Sequence, residues 1–265
     1  TTYTERDARQ AVDLLDGSVG RYVFISSGQV YLVRENIERP FREESYEGAI
    51  MPEPARQSAD HPSWLYGIDK RLAEQMIEDA HERTGFPFTT LRLPMVASER
   101  DHYGRIQGYV ARLTDGAPLI VPEGKGLPLR HVYVNDVARL VTGLVKSRQG
   151  IGEAYNISYG SSITHDEFLS MLADAAETEP QLVMVERKKL DEAGLLPDCS
   201  PFTGRWMSEL ENTRSRKAFP VEYSAPAAYL PSIVADYRSR WAQLGLVPDS
   251  YRQRKAEIEF LESIT

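Results

Sequence analysis

The chain has 265 residues, a net charge of −8, and 42% hydrophobic against 26% charged residues. That length buries a sizeable core in one large domain or up to two ordinary ones, and the acidic balance argues against a general nucleic-acid binder, which carries a basic total or a basic face. The single cysteine, Cys199, excludes an internal disulfide and points to a reducing compartment, here the cytoplasm. No stretch reaches the roughly 18 consecutive apolar residues of a membrane span, and the polar Thr1–Arg9 segment is neither a signal nor a transit peptide. His61, His81, His102, His131 and His165 form no ligand-spaced pair, so no metal site is expected.

Asp7–Leu15 carries Ala8, Ala11, Val12 and Leu15 on one face and predicts a helix, ended by Gly17 and Gly20. Arg21–Ser26 (RYVFIS) is a continuous apolar run after a helix, the pattern of a parallel strand covered on both sides. Residues 32–63 are charged, proline-rich and irregular, and read as a long functional or mobile loop. Tyr66–Arg83 is a helix with the stripe Leu72, Ala73, Met76, Ile77 and Ala80, and Phe88–Leu93 is the next strand. A helix over 104–114, strands at 119–122 and 132–134, a helix over 137–146 capped by Asp136, and a strand at 154–157 follow. Thr164 or Asp166 caps a helix over 165–176, after which the strand 182–185 precedes helices near 186–194, 208–218, 226–245 and 249–263. Such alternation implies an α/β domain with a mostly parallel sheet, joined by a smaller, more helical lobe that interleaves with it.

Two patterns carry chemistry. Tyr66-Gly67-Ile68-Asp69-Lys70 places a phenol and an ammonium four residues apart on one helical face. A nearby ammonium lowers a phenol's pKa from about 10 and makes it a general acid/base. Ser26-Ser27-Gly28-Gln29-Val30-Tyr31 lies just past a buried strand, where open α/β sheets bind ligands. Gly124-Lys125-Gly126 has no strand–turn–helix context for a phosphate loop and reads as a turn.

In this order, strand-SSGQVY, long loop, YGIDKRLAEQMI, then strand TTLRLPMV resembles the extended short-chain dehydrogenase/reductases of the NAD-dependent epimerase/dehydratase type. GKGLPLRHVYVNDVA at 124–138 and EAYNI at 153–157 extend the resemblance, which loosens after about residue 170. It implies a Rossmann-like, mostly parallel sheet over 1–98 and 131–160, with a smaller mixed α/β substrate lobe over 99–130 and 161–265. It implies catalysis by Ser27, Tyr66 and Lys70, with Glu74 at a frequent acidic position. NAD or NADP would be held by Ser26, Tyr66, Lys70, Leu93, Pro94, Met95 and Val96. A substrate, expected to be a nucleotide sugar, would meet Gly28, Gln29 and Arg130, the arginine because its planar fork matches phosphate oxygens. A homodimer built on the tyrosine helix is also implied.

The sequence departs from the family pattern in three places. No G-x-x-G-x-x-G turn is present, so about two βαβ units, on the order of 60–80 residues, are expected to precede this segment in a longer protein, the alternative being a degenerate member that does not bind a dinucleotide. Asp69 stands where the family has a small residue before the lysine. Gly28-Gln29 replaces the acidic pair of the dehydratases, which favours an epimerase or a reductase. SSGQVYLV and the terminal SYRQRKAEIEFL are also similar to the chloroplast stem-loop-binding branch, whose alternative reading is a non-catalytic RNA-binding or NAD(P)-sensing protein.

Overall fold

The computed structural model describes residues 2–241 and 243–264. In chain order it contains α1 (Glu5–Leu15), β1 (Tyr22–Ser27), α2 (Gln29–Leu32), a 3-10 turn at Glu43–Tyr46, α3 (His61–Thr84), β2 (Phe88–Leu93) and β3 (Val96–Ala97). Then come α4 (Arg105–Thr114), β4 (Leu119–Pro122), β5 (Val132–Tyr133), α5 (Val134–Val145) and β6 (Glu153–Asn156). The later chain adds α6 (His165–Ala176), β7 (Leu182–Val185), α7 (Arg187–Glu192), α8 (Thr213–Ala218), α9 (Pro226–Asp236) and α10 (Arg254–Ile264). Two compact units result: Thr1–Met95 with Arg130–Ser161 and Ser208–Tyr223, and Val96–Leu129 with Ser162–Met207 and Ser224–Thr265.

The first unit is a parallel sheet in the order β1-β2-β6, with Ser27 opposite Leu93 and Asn156 opposite Arg92. Every residue of the central strand β2 is buried, including the polar Thr89, Thr90 and Arg92. Ala8 and Val12 of α1 pack with Ala73, Ile77 and Ala80 of α3 and with Phe24, Phe86 and Phe88, which buries one face of the sheet. Helix α1 begins where Thr4 and Asp7 form a reciprocal capping box, the Asp7 N–H donating to Thr4 Oγ1 at 3.3 Å and the Thr4 N–H donating to Asp7 Oδ2 at 3.0 Å. Helix α3 begins five residues before Tyr66, because Pro62 suits a first turn, and it stops at Gly85 in the left-handed conformation, φ 77°. Tyr66 therefore lies in the second turn of α3.

Three expectations are corrected. The 32–63 segment is pinned as far as Met51: Arg34 bridges Ile50, Phe41 bridges Leu210, and the Met51 N–H donates to the Val33 carbonyl at 2.8 Å. Asp136 does not cap α5, which starts at Val134; the buried Asp136 carboxylate sits in the first turn and pairs with Arg139 at 2.5 Å. Residues 208–223 belong to the first unit, where the Phe41 N–H donates to the Glu209 carbonyl at 2.7 Å and Asn212 Nδ2 donates to the Ser158 carbonyl at 2.7 Å. These are backbone partners distant in sequence, which local pattern does not reveal.

The second unit pairs β4 with β7 in parallel, Leu119 to Leu182 through Pro122 to Val185. Ile120, Val185, Leu190, Leu195, Cys199 and Leu261 form its apolar cluster, and burial pushes the Cys199 thiol up to about 12. Helix α6 starts at a Thr164–Glu167 capping box. Within it His165 Nε2 lies 2.9 Å from the buried Tyr109 hydroxyl, itself 3.1 Å from Ser200 Oγ. Among the described residues no helix is long and apolar enough to cross a membrane.

Candidate active site

Strand β1 ends at Ser27, and the chain turns at once into α2. The Gln29 N–H donates to Ser27 Oγ at 3.2 Å, a local serine turn that anchors the hydroxyl beside its own backbone. The Gly28 N–H donates to the Leu93 carbonyl at 2.7 Å, which fixes the turn to the end of β2. Gly28 is required for packing: a Cβ there would collide with the Ser208 side chain. Gly67 plays the matching part on the helix. A Cβ at Gly67 would lie 2.8 Å from the Gln29 carbonyl oxygen, so glycine lets α3 close on the serine turn just beyond Tyr66.

Lys70, one helical turn past Tyr66, is buried, with 3% of its surface exposed. Its Nζ donates to the Ile25 carbonyl at 3.0 Å and to the Thr2 carbonyl at 2.8 Å. The even-numbered residues of β1 face β2, since the Tyr22 N–H donates to the Pro87 carbonyl; the Ile25 carbonyl therefore points to the opposite edge, toward α3. The ammonium also lies 4.9 Å from the ring centres of Tyr3 and Phe24 and 5.9 Å from that of Tyr66. Burial lowers the Lys70 pKa to about 8, while the Glu74 and Asp7 carboxylates pull it upward.

Tyr66 and Lys70 border a cavity of about 330 Å³ together with Thr2, Tyr3 and the stretch Tyr22–Ser26. The structure thus brings Ser26, Tyr66 and Lys70 to one cavity and sets Ser27, Gly28 and Gln29 in the adjoining turn. The Gln29 side-chain oxygen is buried without a hydrogen-bond partner, an uncommon state for a native amide. Leu93, Pro94 and Met95 are buried at the end of β2, and Val96 falls in the second unit.

Arg130, expected to meet the substrate's phosphate, spends part of its guanidinium on the backbone. Its Nε donates to the Tyr159 carbonyl at 3.0 Å and a terminal nitrogen donates to the Gly160 carbonyl at 2.6 Å, so the guanidinium braces the segment after β6. Burial lowers its pKa.

Sequence patterns missed a buried polar chain behind the serine turn. Ser26 Oγ donates to the buried Glu74 carboxylate. Arg92 Nε donates to both oxygens of that carboxylate, at 3.2 and 3.1 Å, one terminal nitrogen donates to Oε2 at 2.6 Å, and the other donates to the Tyr31 hydroxyl at 2.9 Å. Tyr31 in turn donates to Asn156 Oδ1 at 2.8 Å. A serine and a tyrosine in the S-S-x-x-V-Y run and an arginine inside an apolar strand were the available signals.

Residues 4–158 match the NAD dependent epimerase/dehydratase family. The chain belongs to that family. Solved structures of similar fold include the Bordetella bronchiseptica enzyme WbmH in complex with NAD+, 23% identical with a TM-score of 0.61 over 88% of this chain and 68% of that one. RMD from Pseudomonas aeruginosa, complexed with NADPH, is 21% identical with a TM-score of 0.62 over 89% and 72%. UDP-N-acetylglucosamine 4-epimerase from Bacillus cereus is 14% identical with a TM-score of 0.66 over 89% and 71%. At these identities the likeness is one of fold. A search among curated proteins found no sequence match.

Proposed function

We propose that Tyr66 and Lys70 are the acid/base pair of an NAD(P)-dependent epimerase or reductase that acts on a hydroxyl carbon of a nucleotide-sugar-like substrate. The observation that carries the reading is the cavity bordered by both residues at the edge of β1. Family membership and the nucleotide-sugar enzymes among the structures of similar fold support it.

The residues present fit one end of a dinucleotide. An ammonium has three N–H donors, and Lys70 commits two of them to carbonyls. The third suits a ribose hydroxyl at the cavity. No glycine-rich turn among the described residues cradles a pyrophosphate. A bound NAD or NADP supplies the hydride acceptor and donor. Tyr66 takes the proton from the substrate hydroxyl as the carbon is oxidised, and returns it on reduction. Lys70, charged below about pH 8, stabilises the phenolate that Tyr66 becomes. Ser27 holds the reacting oxygen, and Gln29 offers its unpaired side-chain oxygen to a substrate donor. Gly28-Gln29, in place of two acids, leaves the turn without a group to protonate a departing hydroxyl, so epimerisation or reduction is preferred to dehydration.

Calorimetric titration of the protein with NAD+, NADP+ and a panel of UDP- and dTDP-sugars tests this reading. Binding of one dinucleotide and one nucleotide sugar is expected, with turnover falling above about pH 8 as Lys70 loses its proton. A protein that binds neither class contradicts it.

A further inference from the structure

Glu74 lies one helical turn beyond Lys70 and two beyond Tyr66, on the same side of α3. Its carboxylate is fully buried and takes the Ser26 hydroxyl on one side and the Arg92 guanidinium on the other. Arg92 extends from the central strand to the Tyr31 hydroxyl, and its guanidinium carbon stands 4.1 Å from the centre of the Tyr46 ring. Arg71 covers Tyr46 at 3.8 Å. The elements around the serine turn are joined to this carboxylate by a chain of bonds: β1 directly through Ser26, β2 directly through Arg92, α2 through Tyr31 bound to Arg92, and β6 through Asn156 bound to Tyr31.

A buried ion pair is a poor way to gain stability, because packed apolar side chains of similar volume hold a core as well or better. Here the carboxylate has two polar consequences that an apolar pair lacks. It fixes the hydroxyl next to Ser27, and its charge acts on Lys70. The groups that face the Lys70 ammonium are the Thr2 and Ile25 carbonyls, the Tyr3, Phe24 and Tyr66 rings, and the carboxylates of Asp7 on α1 and Glu74 on α3.

We propose that Glu74 is the positioning residue of this site: through Ser26 it locks the Ser26–Ser27 turn to the helix that carries Tyr66, and it sets a carboxylate one helical turn from the Lys70 ammonium. The proposal rests on the reading of Tyr66 and Lys70 as the reacting pair. Glu74 touches no substrate; it acts through Ser26 and Lys70.

The test uses the full chain with three variants. Glu74→Gln alone strands the Arg92 charge in the core, so Glu74→Gln is combined with Arg92→Met, which removes both charges. Ser26→Ala deletes only the hydroxyl, and Glu74→Asp keeps the carboxylate. The first readout is the pH dependence of Lys70 acetylation by acetic anhydride, followed by peptide mass spectrometry; the second is the pH profile of turnover. In the double variant the Lys70 midpoint is expected to fall from about 8 by roughly half a unit or more, and the alkaline limb of turnover to move with it. Glu74→Asp keeps the midpoint near its original value. Ser26→Ala keeps the midpoint but lowers kcat about tenfold with little change in KM. An unmoved Lys70 midpoint in a folded double variant, or full kcat in Ser26→Ala, overturns the proposal. Undiminished turnover in Tyr66→Phe overturns the reading of the reacting pair instead, and the Lys70 titration still decides the role of Glu74.

Discussion

Each unit buries an arginine–carboxylate pair, and the two pairs serve different ends. In the second unit Arg112 of α4 and Glu257 of α10 are both fully buried. Arg112 spends its remaining donors on the carbonyls of Gly108, Asp198 and Ser250, and Glu257 also receives Arg254, which binds Asp115 at 2.7 Å. The partners are backbone carbonyls, other ions and the Tyr251 hydroxyl, and the network staples the last helix to its unit. In the first unit the Arg92–Glu74 pair adjoins Ser26 and Lys70, two of the residues around the cavity. Burial of charge does not distinguish the two pairs; reach from the buried charge to a cavity does.

The contrast predicts different losses. Glu257→Gln leaves Arg112 buried beside a neutral partner, and it is expected to cost about 3–5 kcal/mol in urea unfolding, the scale for breaking a buried pair. A cost within about 1 kcal/mol would show that the second network is dispensable.

A smaller, pH-dependent effect is expected at His165. Burial lowers its pKa to about 4, against an ordinary value near 6.5, so the unfolded chain takes up the proton first as the solution is acidified. This contribution to stability is complete above pH 6.5 and is lost as the pH falls toward 4. His165→Gln should flatten that part of a stability-versus-pH curve, whereas a curve unchanged by the substitution would assign the acid sensitivity elsewhere. The smallest effect is at the α6 cap, where Thr164→Ala is expected to cost about 1 kcal/mol by thermal unfolding.

The same contrast explains what was legible in the sequence. The short strand-like runs at 22–27 and 88–93 and the stripe of α3 declare themselves by local pattern, and the structure has them as strands and helix. The serine turn and the Tyr66–Lys70 spacing were legible because both are local motifs. Glu74 was visible only as an acid at a familiar position; its bonds to Ser26 and Arg92 join residues 48 and 18 positions apart. The bonds from Arg130 to the Tyr159 and Gly160 carbonyls were not legible, because nothing in the sequence shows that those carbonyls turn back onto it. Residues 208–223 were assigned to the wrong lobe for the same reason: their partners are carbonyls and amides of Phe41 and Ser158.

The central claim is that Tyr66 moves the proton while hydride passes to or from the nicotinamide. Its most direct test is turnover of a nucleotide-sugar substrate by the protein and by Tyr66→Phe, followed through the ultraviolet absorbance of the reduced cofactor under single-turnover conditions. The account predicts that Tyr66→Phe still binds NAD(P) and substrate and loses about 10²–10⁴ in the rate of hydride transfer. Hydride transfer at the original rate in that variant would contradict it.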